Sequence, residues 1–345
     1  MSQADSTIGR HLDHLPFPVL IGDIGGTNAR FSLVPGETGE VHRFPNVHTA
    51  DFASIDDAIA AVVVDKGGAR PQSAMLALAG PISGDRVPLT NSPWVVEPKK
   101  TVARFGLGEM VLLNDFEAQS LALPGLTAED IAPIGGGTMT ADGARVVVGP
   151  GTGLGAGALV MGRETWVPVP GEGGHIDLSP VSERDFAIWP HVERTGGRIG
   201  AETLLCGSGL VRLYRAVCAS DGVAAELTSP KEVTEAGLSG ASPQAAETLA
   251  LFAIHLGRVA GNLALVFMAT GGVFLAGGIS GKIAPVLQSG GFRDAFLAKW
   301  PHTRLLERMA TSIVIKEDAA LAGIAAFART PARFAVSLTG RRWRG

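Results

Sequence analysis

Two segments of this chain repeat a pattern that few folds accommodate: an apolar strand, a glycine-rich turn and a second apolar strand. The first copy runs from Val19–Ile24 (VLIGDI) through Gly25-Gly26-Thr27-Asn28 to Ala29–Val34 (ARFSLV). The second runs from Ala144–Val148 (ARVVV) through Gly149–Gly155 (GPGTGLG) to Ala156–Met161. Each is followed by a third short stretch, Val41–Phe44 and Glu164–Val169. Placing Thr27 on Thr152 aligns G-G-T-N with P-G-T-G, which suggests a duplicated unit: two domains facing each other, each presenting a glycine turn. Between and after the copies, Ala74–Ala79 and Met110–Leu113 are short and apolar on both faces, as buried parallel strands are. Helical spacing marks Ile55–Val64, Glu117–Leu123, Ala245–Met268 and Ala319–Ala328, and two further strands fall at Val273–Ala276 and Ser312–Ile315. Alternating strands and helices predict an α/β fold.

A length of 345 residues, 46% of them hydrophobic, supplies two cores of ordinary size. The net charge of -4 leaves no basic footprint for a nucleic-acid backbone. Cys206 and Cys218 are the two cysteines, twelve positions apart, so neither a disulfide framework nor a multi-cysteine zinc site is expected, and a reducing cytoplasm suits the chain. The start, MSQADSTIGRHLDHL, has no apolar run of the kind that opens a secretory signal. Gly261–Ile279 is free of charge over nineteen residues, yet its Gly271-Gly272 and Gly277-Gly278 pairs divide it into a helix end, a turn and a buried strand. No membrane partner is expected.

Four constellations carry chemistry. In G-D-I-G-G-T-N (Gly22, Asp23, Ile24, Gly25, Gly26, Thr27, Asn28), glycines let backbone N–H groups approach a polyphosphate, and Asp23 offers an oxygen ligand to Mg²⁺, directly or through water. An ordinary Gly-Gly hairpin fits the same residues. The turn Gly151-Thr152-Gly153 is the second such site. It does not open a helix, so it is no dinucleotide fingerprint, and Gly277–Ile283 lacks the spacing of a P-loop. Asn114-Asp115, leaving a buried strand, suit a base and an amide ligand for a hydroxyl-bearing substrate, although Asp115 is equally placed to cap a helix. In P-G-E-G-G-H, Glu172 and His175 suit polyol recognition, with an incidental surface loop as the bland reading. Glu202, in G-A-E-T-L-L at a helix start, is ambiguous alone. The pair Gly277-Gly278 after a strand would let a nucleoside lie on the backbone.

Taken in order, GDIGGTNARFSLV, LTNSPW, LLNDFEAQSLALP, GPGTGLGAG, VPGEGGHIDLSP, GAETLLCGSGLVRLYRA, GRVAGNLAL and GGVFLAGGI resemble the bacterial glucokinase family of the hexokinase–actin–heat-shock-chaperone superfamily. The resemblance implies a two-domain actin-like ATPase (ribonuclease H-like) fold with an interdomain cleft, and transfer of the γ-phosphate of ATP to the 6-hydroxyl of glucose. It implies Asp115 as base, with Asn91, Asn114, Glu172, His175 and Glu202 holding other sugar hydroxyls. The turns Gly22–Thr27 and Gly151–Gly153 would embrace the phosphates, with Gly277-Gly278 near the nucleoside. Mg²⁺ and a homodimer belong to the same expectation. So does a small domain of residues 17–125 completed by a C-terminal helix at 318–335, a large domain of 126–317, and flexible tails at 1–16 and 336–345. The basic tail RRWRG and the long leader depart from the family pattern. A kinase for fructose, mannose or an amino sugar is the alternative, and a non-catalytic actin-like ATPase or sugar-sensing regulator, lacking any need for the sugar constellation, is a weaker one.

Overall fold

The computed structural model describes residues 14–89 and 92–345. Asn91, an expected sugar ligand, lies outside them. The chain packs as two compact units. The first comprises the described residues through Leu126, Met161–Pro170 and Glu317–Gly345; the second comprises Thr127–Val160 and Gly171–Lys316.

In the first unit, Val19–Ile24 pairs antiparallel with Asn28–Val34 on one side and parallel with Ser73–Leu78 on the other. Ser73–Leu78 pairs in turn with Glu109–Asn114, also in parallel. The three inner strands are almost wholly apolar and buried on both faces, the pattern that crossover-linked parallel strands require. Glycine at position 22 is an interior packing requirement, because a Cβ there would lie 2.6 Å from the Leu76 side chain. The helix Ala319–Arg329 returns to pack against Asp115–Ala122, and Gly323 permits the approach: a Cβ would come within 2.3 Å of the Ala118 carbonyl. The segment Met161–Pro170 was not foreseen as part of this unit. It is tied in by Trp166, whose carbonyl accepts from the Ala335 N–H at 2.8 Å.

Residues 336–345 correct the expectation of a flexible tail. Val336, Leu338 and Trp343 are buried, and Arg342–Arg344 forms an edge strand antiparallel to Glu109–Val111. The basic residues that look solvated in sequence meet buried carboxylates: Arg342 pairs with Glu109, and Arg341 with Glu117. Leu15, assigned to the leader, is likewise fully buried.

In the second unit, Arg145–Pro150 and Leu154–Gly162 form an antiparallel hairpin closed by Gly151-Thr152-Gly153. Arg145–Pro150 then pairs in parallel with Gly272–Leu275, which pairs with Thr311–Val314; Ile131–Gly135 closes the edge in antiparallel. The helix Pro243–Phe267 has the length and apolarity of a membrane span, yet most of its apolar window is buried inside the protein. Gly257 and Gly261, one turn apart, let Gly291–Leu297 lie against it, since a Cβ at either would meet the Phe292 or Phe296 carbonyl at 2.2 and 2.7 Å. Its end at Phe267, with Met268 in the left-handed region and the strand beginning at Gly272, accounts for the uncharged run as a helix, a turn and a strand.

One buried group on this helix makes stability depend on pH. His255 is 1% exposed, 3.6 Å from Asp185 and edge-on to Trp189, while Arg258 holds the other Asp185 oxygen at 2.7 Å. Burial lowers the imidazole to about 4 against the pull of Asp185. The folded pKa lies below the unfolded value of 6.5, so the neutral ring's contribution is complete above that value and is lost as pH falls toward 4. Unfolding free energy is expected to drop across this window by up to roughly 3 kcal/mol from this residue. Urea unfolding of His255→Gln from pH 7 to 4.5 should show a shallower slope than the parent; superimposable profiles would exclude the residue as the cause.

Candidate active site

In the first unit, the turn after Val19–Ile24 is held from behind by Thr49. Its hydroxyl donates to the Gly26 carbonyl at 2.8 Å and its N–H to the Thr27 carbonyl at 3.0 Å. Because a trans peptide points its C=O and N–H in opposite directions, these contacts aim the N–H groups of Thr27 and Asn28 away from Thr49. Gly25 and Gly26 are not in the left-handed region, so the turn's donors rather than unusual dihedrals are what it presents. Asp23, at the strand end, faces Arg30 at 3.2 Å; Arg30 also reaches Asp318 at 3.5 Å. Burial raises the Asp23 carboxyl, and Arg30 opposes the rise.

At the end of Glu109–Asn114, the cap is Asn114 rather than Asp115. Its Oδ1 accepts from the Phe116 and Glu117 N–H groups at 2.9 and 3.2 Å, and the Glu117 carboxylate accepts from the Asn114 N–H. That leaves the Nδ2 end of Asn114, 3.4 Å from the Gly80 carbonyl, as its donor toward a ligand. Asp115 is the first residue of the helix, with Oδ1 accepting from the Phe116 N–H at 2.9 Å. Arg341 secures Glu117 from the C-terminal segment, so the strand and helix that present Asp115 rest on two ion pairs from residues 341 and 342.

The second unit brings Thr152, His175 and Glu202 together in a pocket of roughly 240 Å³, with Arg198, Cys206 and Arg212 also on its wall; Glu172, Gly151, Gly153, Gly277 and Gly278 are not part of that lining. Glu202 Oε2 accepts from the Leu154 N–H at 2.7 Å. Gly153 makes this possible, because a Cβ there would sit 2.4 Å from that oxygen. The Gly151 carbonyl accepts from the Gly207 N–H at 2.9 Å, tying the turn to the next helix. Glu172 and His175 flank a short 3-10 turn, with His175 Nε2 3.8 Å from Glu172 Oε2; their side chains are 70% and 59% exposed. The glycines between them serve packing. A Cβ at Gly174 would fall 1.8 Å from the Leu154 carbonyl, and one at Gly173 would fall 2.9 Å from Ala156. Gly277, at φ 79°, lies against the Pro150 carbonyl at the base of the same turn, and the Gly278 Cα faces open space.

Sequence reading missed Thr49, Arg30, Arg198 and Arg212. The signal for Arg198 lay in T-G-G-R, a two-glycine turn just ahead of the Glu202 helix. Arg30 lies seven residues from Asp23 on the same hairpin and Arg212 nine from Thr203, whereas Thr49 acts on a turn 23 positions away.

Comparison with known proteins follows the same lines. Residues 20–331 match the family model for glucokinase. A glucokinase from Allorhizobium ampelinum is 53% identical over 331 residues, covering 96% of this chain and 97% of that protein. Among solved structures, a glucokinase from an Antarctic psychrotroph superposes with a TM-score of 0.79 at 30% identity, covering 90% of this chain and 98% of the other. A glucokinase from Balamuthia mandrillaris, solved in complex with glucose, gives a TM-score of 0.75 at 23% identity, with 90% and 93% covered, and at that distance speaks to the fold.

A test of the pocket's wiring follows from Gly153. In Gly153→Ala the new methyl meets the tip of a flexible side chain, so the unfolding free energy is expected to fall by no more than about 1–2 kcal/mol. The Glu202–Leu154 bond is displaced, and ligand affinity at this pocket should weaken about tenfold, in line with loss of a charge-assisted hydrogen bond. Calorimetric titration beside a thermal melt separates the two effects; unaltered affinity would show that the contact does not shape the site.

Proposed function

As the chain belongs to the glucokinase family, we propose that it transfers the γ-phosphoryl group of ATP to the 6-hydroxyl of glucose, with Asp115 as the base. It is an ATP-dependent hexose kinase with the two-domain actin-like fold of its relatives. The observation that carries the site assignment is the pocket of the second unit, where Thr152 of a phosphate-type turn, His175 and Glu202 meet.

Phosphoryl transfer asks the protein chiefly to position groups and to stabilise charge. The Asp115 carboxylate accepts the proton of the sugar 6-hydroxyl as that oxygen forms its bond to phosphorus and the bond to the ADP oxygen breaks. The Asn114 amide donates to a neighbouring hydroxyl. Glu172, His175 and Glu202 hold further hydroxyls, and a substrate lacking one of them leaves a polar group of the site unpaired. The N–H groups of Thr27 and Asn28 in the first turn and of Thr152 and Gly153 in the second receive phosphate oxygens, those of Gly25 and Gly151 being committed to the Asn28 and Gly153 carbonyls. Gly277-Gly278, beside Pro150, suits the nucleoside. Gly22 and Ile24 contribute through the strand that sets the first turn in place.

Mg²⁺ fits the chemistry of Asp23, an oxygen donor at a buried strand end that would hold the ion directly or through water; when bound, the ion neutralises charge on the phosphate oxygens. Arg30, already paired with Asp23, then retains Asp318 as its partner. A cytoplasmic location and a homodimer rest on the family resemblance.

Asp115→Asn should lower kcat by about a thousandfold, within the span general-base removal produces, with the fold intact. A variant turning over at the parent rate would remove Asp115 from its role. Glu172→Gln should raise the KM for glucose about tenfold and leave that for ATP near its parent value. A coupled ADP-release assay over a panel of hexoses and amino sugars tests the sugar; faster turnover of fructose, mannose or an amino sugar than of glucose would overturn that part of the reading.

A further inference from the structure

Glu172 and His175 project from a loop that has little to hold it by itself. Gly171, Gly173 and Gly174 leave its backbone conformationally permissive, and both side chains are mostly exposed. One face is fixed by the close seat of Gly173 and Gly174 on Leu154 and Ala156. The other is fixed by a short ribbon. The Ala201 N–H donates to the Ile176 carbonyl at 2.8 Å and the Leu178 N–H to the Ile199 carbonyl at 3.1 Å, with Asp177 bridged to Gly200. This ribbon runs directly from His175 to Glu202.

Arg198 closes it. The tight turn Thr195-Gly196-Gly197-Arg198, with both glycines in the left-handed region and reciprocal bonds between Thr195 and Arg198, delivers the guanidinium to the pocket wall. There Nη2 donates to the His175 carbonyl and lies 3.1 Å from Asp177 Oδ1. We infer that Arg198 is a positioning residue for sugar recognition: it clamps the His175 carbonyl and the Asp177 carboxylate at once, fixing the Glu172–His175 loop against the start of the Glu202 helix. A guanidinium suits this task because its planar Nη2 carries two N–H bonds in fixed directions, one toward each acceptor, whereas a lysine ammonium rotates freely on its stem. The inference rests on the assignment of Glu172 and His175 to the sugar.

Loop disorder in the absence of the clamp should appear as weaker sugar binding, with ATP binding and the chemical step largely preserved. Arg198→Ala is expected to raise the KM for glucose about tenfold or more, with the KM for ATP within about twofold and the melting temperature little changed. Arg198→Lys, which keeps the charge but not the fixed donor directions, should fall between, and added methylguanidinium should lower the glucose KM of the alanine variant. His175→Ala is measured in parallel. If His175→Ala raises the glucose KM and Arg198→Ala does not, the clamp is refuted while the sugar site stands. If Arg198→Ala raises both KM values and lowers the melting temperature together, and Arg198→Lys does the same, the residue is merely structural and the inference fails. If His175→Ala leaves the glucose KM unchanged, the sugar-site reading itself fails.

Discussion

The pocket of the second unit depends on a charge-assisted hydrogen bond, from the Leu154 N–H to the Glu202 carboxylate at 2.7 Å. It joins the strand that leaves the Gly151–Gly153 turn to the short helix that follows the Glu172–His175 loop. The bond exists because Gly153 has no side chain, and the loop reaches the same strand because Gly174 has none. In sequence, Gly153 reads as freedom for a ligand to approach and Gly174 as part of the Glu172–His175 motif. In the structure they remove atoms so that one piece of the site can touch another. A glycine-rich site of this kind gains its definition from neighbours, since the segments themselves are permissive.

The first unit solves a related problem with charge. Asp115 begins a helix whose cap is Asn114 and whose third position is Glu117, and Glu117 would be a buried carboxylate without a counter-ion but for Arg341. Glu109, at the other end of the strand, is met by Arg342 and, at 3.8 Å, by Arg344. Breaking a buried pair is costly because it strands a charge away from water, even where the intact pair adds little net stability. The C-terminal residues are therefore part of the scaffold under Asp115. Gly323 completes it by letting the returning helix lie against the Asp115 helix at backbone distance.

The α/β class, the paired hairpins and the principal strands were legible because each is encoded by local periodicity and punctuation. Val19–Ile24 and Ser73–Leu78 are apolar on both faces, and the glycine turns follow where those runs stop. The N-D-F and E-G-G-H motifs were legible as candidates for the same reason: short polar groups at a strand exit or between glycines stand out from a hydrophobic background.

What the sequence could not decide was which distant residues support these groups. The roles of Thr49 behind the first turn, Arg341 beneath Glu117 and Arg198 at the His175 carbonyl depend on contacts between segments separated by 23, 224 and 23 positions. No local pattern specifies such pairings. A guanidinium in a run such as RRWRG looks like a solvated tail until the fold brings a buried carboxylate to it. Local chemistry, by itself, determined the strands, the turns and the candidate groups; only tertiary packing, by removing water and aligning remote partners, decided which of them are held in place and by what.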